Sequence, residues 1–125
     1  MPRYPHWTEA EFPAAKTFWA SIAKIDEKMR EDPYRWTLSK EARLGQYADF
    51  KPGKLSHWKN IIRTSGQVTP TELSLRGGDD FDVMDGRHRI YALHEEGFTD
   101  VLIQVLPMEP GDEGKIDRLA ERLAP

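Results

Sequence analysis

Asp85-Gly86-Arg87-His88-Arg89 sets two arginines and a histidine behind a glycine. The run lies between a segment that reads as a strand, Phe81 to Met84, and one that reads as a helix, about Arg87 to Glu96. A glycine at such a junction lets backbone approach a ligand closely and takes dihedrals that other residues avoid. The helix behind it offers N–H groups without intrahelical acceptors and the positive end of its dipole. Arginine forks match phosphate oxygens in pairs. Basic residues at a helix start oppose the dipole, so they require either carboxylate partners or an anion. The combination points to an anion site, for phosphate foremost. The competing reading leaves Arg87 and Arg89 solvated, or paired with Asp82 and Asp85 across the turn.

Other candidates are weaker by themselves. Lys51, Lys54, Lys59 and Arg63 occupy a stretch without an acidic residue, a pattern that more often marks a solvated helix face. If that helix packs beside the Gly86 turn, Lys54 and His57 meet phosphate oxygens. Lys59 and Arg63 then lie outside, available to nucleic acid or to nothing. Asp79, Asp80, Asp82 and Asp85 fail the register of a calcium loop, because Asp85 stands where that loop needs glycine. Asp79 and Asp80 read as turn residues. A Mg²⁺ carried mainly by nucleotide phosphates, with Asp85 or Glu72 as one extra ligand, fits magnesium's habit of taking few protein ligands. Glu72 is also a candidate general base, against the plainer reading of a surface strand glutamate. His94 reads as a core-edge histidine. Gly53-Lys54 fails the Walker A pattern, since Leu55 follows and Ala48 takes the first glycine position. The four tryptophans read as packing anchors, with Trp36 or Tyr34 as the exception available to cover a base.

The elements that must position these residues follow from periodicity. Phe18, Ile22, Ile25 and Met29 share one helical face, which predicts a helix over residues 14–30, closed by Asp32-Pro33. A short strand is expected around Gly45 to Phe50. Leu55, Trp58, Ile61 and Ile62 mark a second helix after Pro52-Gly53, with Gly66 at its stop. Two strands, Glu72 to Leu75 and Phe81 to Met84, flank the turn residues Gly77 to Asp80. The third helix ends at Gly97, and Val101 to Leu106 reads as a buried strand. Ile116, Leu119 and Leu123 predict a last amphipathic helix. The order describes an α/β (α+β) domain built on a small sheet flanked by helices.

Composition sets the outer limits. The 125 residues suit one domain, with no cysteine and a formal net charge of −3. Leu, Ile, Val and Phe make up 26 residues, about 21%, so the core is modest. The missing thiol excludes disulfides, Cys-ligated metals and a cysteine nucleophile. The acidic total argues against a dedicated nucleic-acid coat. The opening MPRYPHWTEAEF lacks a secretory apolar region, and a cytoplasmic protein is expected.

The stretch VMDGRHRIYALHEEGFTDVLIQV resembles the strand–turn–helix–strand of the ParB/sulfiredoxin superfamily. FKPGKLSHWKNIIRTSGQVTPTELSL is similar to the same superfamily's preceding strand, helix, G-x-x-x-P loop and strand. The resemblance covers roughly residues 44–106. It implies a nucleotide-binding core over 41–106, preceded by an arm and helix over 1–40 and followed by a linker and helix over 107–125. It further implies that Gly86, Arg87, His88 and Arg89 hold a polyphosphate and that Lys54 and His57 contact it. Gln67 and Thr69 would face the nucleotide. The activity implied is Mg²⁺-dependent hydrolysis of ATP or CTP, with His88, Arg89 and Glu72 as catalytic candidates and Asp85 on the metal. On this reading Arg89→Ala abolishes nucleotide binding with little effect on thermal stability. Where sulfiredoxins carry their catalytic cysteine this chain has Arg87, so thiol chemistry on sulfinic acid is excluded. Only 19 residues follow Leu106, which makes a ParB-type DNA-reading module unexpected. The alternatives are a non-catalytic DNA- or protein-binding module, or a nuclease or toxin-like effector.

Overall fold

The computed structural model describes residues 7–10, 12–32, 34–35, 37–39, 52–64, 66–77 and 80–125, with the side chains of 52–54 excepted. The strand expected around Gly45 to Phe50 lies outside them. Four strands and four helices are described: β1 (Lys16–Ser21), α1 (Ile22–Met29), α2 (Pro52–Arg63), β2 (Thr71–Leu75), β3 (Phe81–Asp85), α3 (Arg87–Glu95), β4 (Asp100–Val105) and α4 (Asp112–Leu123). The sheet runs β1-β4-β2-β3. The outer pairs are antiparallel and the central β2–β4 pair is parallel. The protein is thus the mixed α/β sheet domain that the element order predicts.

One element departs from expectation. Residues 14–30 do not form one helix: Lys16–Ser21 is a strand that pairs with β4 along its whole length, and only Ile22–Met29 is helical. The helical stripe holds for Ile22, Ile25 and Met29, which are buried. Phe18 fits the same period by coincidence, in a segment whose Thr17, Phe18 and Trp19 suit a strand. Ser21 marks the change, since its hydroxyl accepts from the Lys24 N–H at 3.3 Å and caps the helix. Propensity and the cap together outweigh the apolar period.

The remaining elements fall where their patterns place them. The Gly66 N–H reaches Ile61 O at 2.8 Å just beyond α2. Gly97, at φ 89°, ends α3, with the Phe98 N–H on Leu93 O at 2.9 Å. The core gathers Ile25 and Met29 from α1, Leu73 and Phe81 from β2 and β3, Ile90 and Leu93 from α3, Ile103 from β4, and Ile116 and Leu119 from α4. Two ion pairs fasten α2 to α3, Lys59–Glu95 at 2.7 Å and Arg63–Glu96 at 2.8 Å. These partners bear on Lys59 and Arg63 as nucleic-acid contacts, because each already faces a carboxylate. Among the described residues no helix is long and apolar enough to cross a membrane.

Candidate functional site

β3 delivers Asp85 to the sheet end, Gly86 turns the chain, and α3 begins at Arg87. Gly86 is required twice over. Its φ of 106° lies in the left-handed region. A Cβ on it would also stand 2.8 Å from Thr71 Oγ1, 3.1 Å from Thr71 Cγ2 and 3.2 Å from Thr71 Cα. The turn is therefore pressed against β2. Thr71 beneath it is fully buried, and its Oγ1 has no hydrogen-bond partner among the described residues.

The start of α3 brings N–H groups, a dipole end and basic side chains together. The first intrahelical bond runs from the Ile90 N–H to Gly86 O at 2.9 Å, so the N–H groups of residues 87–89 precede it. Gly86 provides no side-chain cap, and the first turn holds no acidic residue. Arg87 is exposed and makes no ion pair among the described residues. Asp82 does not neutralise it: that carboxylate is engaged by Arg76 and, at 3.4 Å, by Arg35.

Met84 to Arg89 line a cavity of about 340 Å³, closed on another side by His57 and Trp58 of α2. The structure thus brings His57 to the turn, as the sequence predicts for a helix packed beside it. Its ring meets that of Trp58 edge to face, with centroids 5.3 Å apart. Lys54 lies on the first turn of the same helix, and its side chain is outside the described residues.

Arg89 has a different position from the one expected. Only 6% exposed, it donates from Nη1 to Thr69 O at 2.8 Å and to Pro70 O at 2.7 Å. Its guanidinium stacks on Trp58 at 4.7 Å from the ring centroid. Nη2 lies 3.4 Å from Asp85 Oδ2, a loose pair. Arg89 lines the cavity while holding its walls together. The expectation that Arg89→Ala spares stability is therefore corrected, because the side chain is a buried clamp between three segments. Gln104 Nε2 joins it on Pro70 O at 3.1 Å.

The other candidates are more scattered. Gln67 is exposed and Thr69 half-buried, and neither lines this cavity. Thr69 contributes through its carbonyl. Glu72 pairs in register with Asp85 across the β2–β3 ladder, yet it lines a second cavity of about 560 Å³. Asp85 is exposed at the turn. Among the described residues no group of three or more His, Asp or Glu is placed to hold a metal ion. A single exposed carboxylate fits a Mg²⁺ that draws its other ligands from phosphates and water. Asp80 is clamped by Arg35: the guanidinium's hydrogen bond holds the carboxyl down at about 2, and the carboxylate raises the guanidinium above its ordinary value. Asp79 and Trp36 lie outside the described residues, and His94 and Tyr34 are exposed.

Sequence reasoning misses Trp58 as the platform for Arg89 and Thr71 as the floor of the turn. Neither contact has a local signal, since the partners lie 31 and 15 positions apart. Arg35 is missed for the same reason, in a stretch without pattern.

No protein-family model matches the chain, and no curated protein matches it. Among solved structures it is similar to the crystal structure of sulfiredoxin from Arabidopsis thaliana, at 16% identity over 81% of this chain and 97% of that one, with a TM-score of 0.46.

Proposed function

We propose that the chain binds the phosphates of a nucleoside triphosphate, ATP or CTP, at the start of α3 and hydrolyses them. One observation carries the binding part. An α3 start without a side-chain cap, flanked by Arg87 and His88, opens into a cavity that also receives His57. N–H groups, dipole and the exposed Arg87 converge there, beside an Asp85 carboxylate loosely paired with Arg89. The likeness of the turn to the ParB/sulfiredoxin superfamily supports a triphosphate as the anion.

Each residue then has a role in this reading. Arg87 forks onto phosphate oxygens, and His57 and His88 donate from two sides. Arg89 fixes the walls. Developing charge on a transferred phosphoryl group is stabilised by groups already in place, which is where catalysis of this reaction resides. Mg²⁺, held beside Asp85, supplies additional charge neutralisation when bound with the nucleotide. Glu72, one ladder position across from Asp85, accepts the proton of an attacking water.

The placement of Glu72 in the neighbouring cavity favours a second reading, a binding module without turnover. Calorimetric titration with ATP and CTP, with and without Mg²⁺, separates these readings when combined with phosphate-release kinetics. Binding that Arg87→Ala weakens at least tenfold, together with phosphate release, supports the hydrolase. Binding without release supports the module. Unchanged nucleotide affinity in Arg87→Ala overturns the site.

A further inference from the structure

The floor of the turn is a threonine where a valine of the same shape would pack without a polar atom to satisfy. Thr71 opens β2 and is fully buried. A buried hydroxyl without a hydrogen bond costs free energy, and nearly all such groups in folded proteins are paired. Thr71 Oγ1 has no partner among the described residues. It is also the atom nearest to the point where a side chain would begin on Gly86, 2.8 Å away. The hydroxyl therefore faces the backbone that carries the start of α3.

Thr71 itself is held in place. It is in ladder register with Ile103 of β4. The carbonyl before it, Pro70 O, accepts from Arg89 Nη1 at 2.7 Å and from Gln104 Nε2 at 3.1 Å. Its branched side chain is confined as well, since Cγ2 stands 3.1 Å from the same point over Gly86. The freedom lies in the turn. Gly86, at φ 106° and ψ 18°, has no Cβ to strike Thr71 when a neighbouring peptide rotates. An anion drawn to the N–H groups of residues 87–89 pulls on that backbone, because those groups lack intrahelical acceptors. Rotation of a peptide beside Gly86 turns an N–H or a C=O toward Oγ1. A hydroxyl accepts from the one or donates to the other.

We propose that Thr71 is a positioning residue of the anion site, whose hydroxyl forms a hydrogen bond to the Gly86 turn as the anion binds. The inference rests on the phosphate reading of the turn. A bond made in the bound state alone adds to affinity, because a ligand shifts an equilibrium by its differential interaction with the two states. The same oxygen lowers the stability of the free protein. A residue of structural value alone has the opposite signature, since its loss lowers stability and leaves the bound state no special disadvantage.

Two substitutions separate these signatures. Thr71→Val keeps the shape and removes the hydroxyl, whereas Thr71→Ser keeps the hydroxyl. ATP affinity is measured on the full chain by calorimetry with Mg²⁺, and thermal melts are recorded without nucleotide. Thr71→Val is expected to bind ATP roughly tenfold more weakly, the order of one buried hydrogen bond. It melts above the parent, because a buried polar atom without a partner is gone. Thr71→Ser binds within about threefold of the parent, since its hydroxyl makes the same bond. Unchanged affinity in Thr71→Val overturns the positioning role and leaves the anion site standing. A melt below that of the parent in Thr71→Val, or no recovery of affinity in Thr71→Ser, overturns it as well. A parent chain that binds no ATP overturns the phosphate reading and this inference together.

Discussion

Replacing Gly86 by alanine tests the central contact of the site. The variant meets two penalties of separate origin. A non-glycine residue held at a φ of 106° costs about 1–2 kcal/mol. The new methyl group also lands 2.8 Å from Thr71 Oγ1 and 3.1 Å from Cγ2, and overpacking of this kind costs about 1–3 kcal/mol. Together they amount to roughly 2–5 kcal/mol, a large part of the total stability of a domain this size. At about 4 °C per kcal/mol, the melting temperature falls by roughly 8–20 °C. The two parts separate in a double-mutant cycle with Thr71→Ala, measured by urea unfolding. Thr71→Ala alone removes a buried hydroxyl that lacks a partner among the described residues, so its cost is about 1 kcal/mol or less. In the double variant the two shortest contacts are gone and that to Cα of residue 71, at 3.2 Å, remains, and about 1–2 kcal/mol returns as coupling. The dihedral penalty stays. An alanine variant within 0.5 kcal/mol of the parent, or a strictly additive cycle, would refute the packing of the turn on β2.

Further expectations concern the charges. Arg87→Ala weakens ATP and CTP binding at least tenfold by calorimetry while shifting the melt by less than about 2 °C, because an exposed cation outside any ion pair contributes little to stability. Arg89→Ala destabilises by about 2–4 kcal/mol in urea titration, since Thr69 O loses the Arg89 donor, Pro70 O is left with Gln104, and the Trp58 face loses its cover; Arg89→Lys does not restore the loss, lacking the fork. The Asp80–Arg35 pair makes stability depend on acid pH. The folded carboxyl is held down at about 2 from 3.8, so its contribution is complete above 3.8 and disappears as pH falls through 3.8 toward 2. Asp80→Asn therefore lowers the melting temperature at pH 6, and the gap to the parent closes between pH 4 and pH 2 in thermal melts.

The turn itself was legible in the sequence. Glycine, a strand before it and basic residues on the helix after it are local facts, and the geometry at Gly86 follows from them. His57 was reachable too, because the stripe of Leu55, Trp58, Ile61 and Ile62 fixes which side of α2 faces the core and leaves its neighbour at the cavity rim. Arg89 was not. Its residue type is the same whether it faces phosphate or clamps a loop, and its choice of the Thr69 and Pro70 carbonyls depends on where β2 enters the sheet.

Sequence alone determined the elements from Pro52 onward, the glycine stops and the concentration of positive charge at one helix start, since each depends on residues a few positions apart. Tertiary structure decided the rest. It made Lys16–Ser21 a strand by supplying β4 as its partner, an interaction that a helical period cannot reveal. It separated two arginines of one motif, leaving Arg87 in solvent and burying Arg89 against Trp58. And it set Glu72 beside the turn but in another cavity. Pairing and burial act between residues distant in the chain, and they assigned different work to side chains that look alike in sequence.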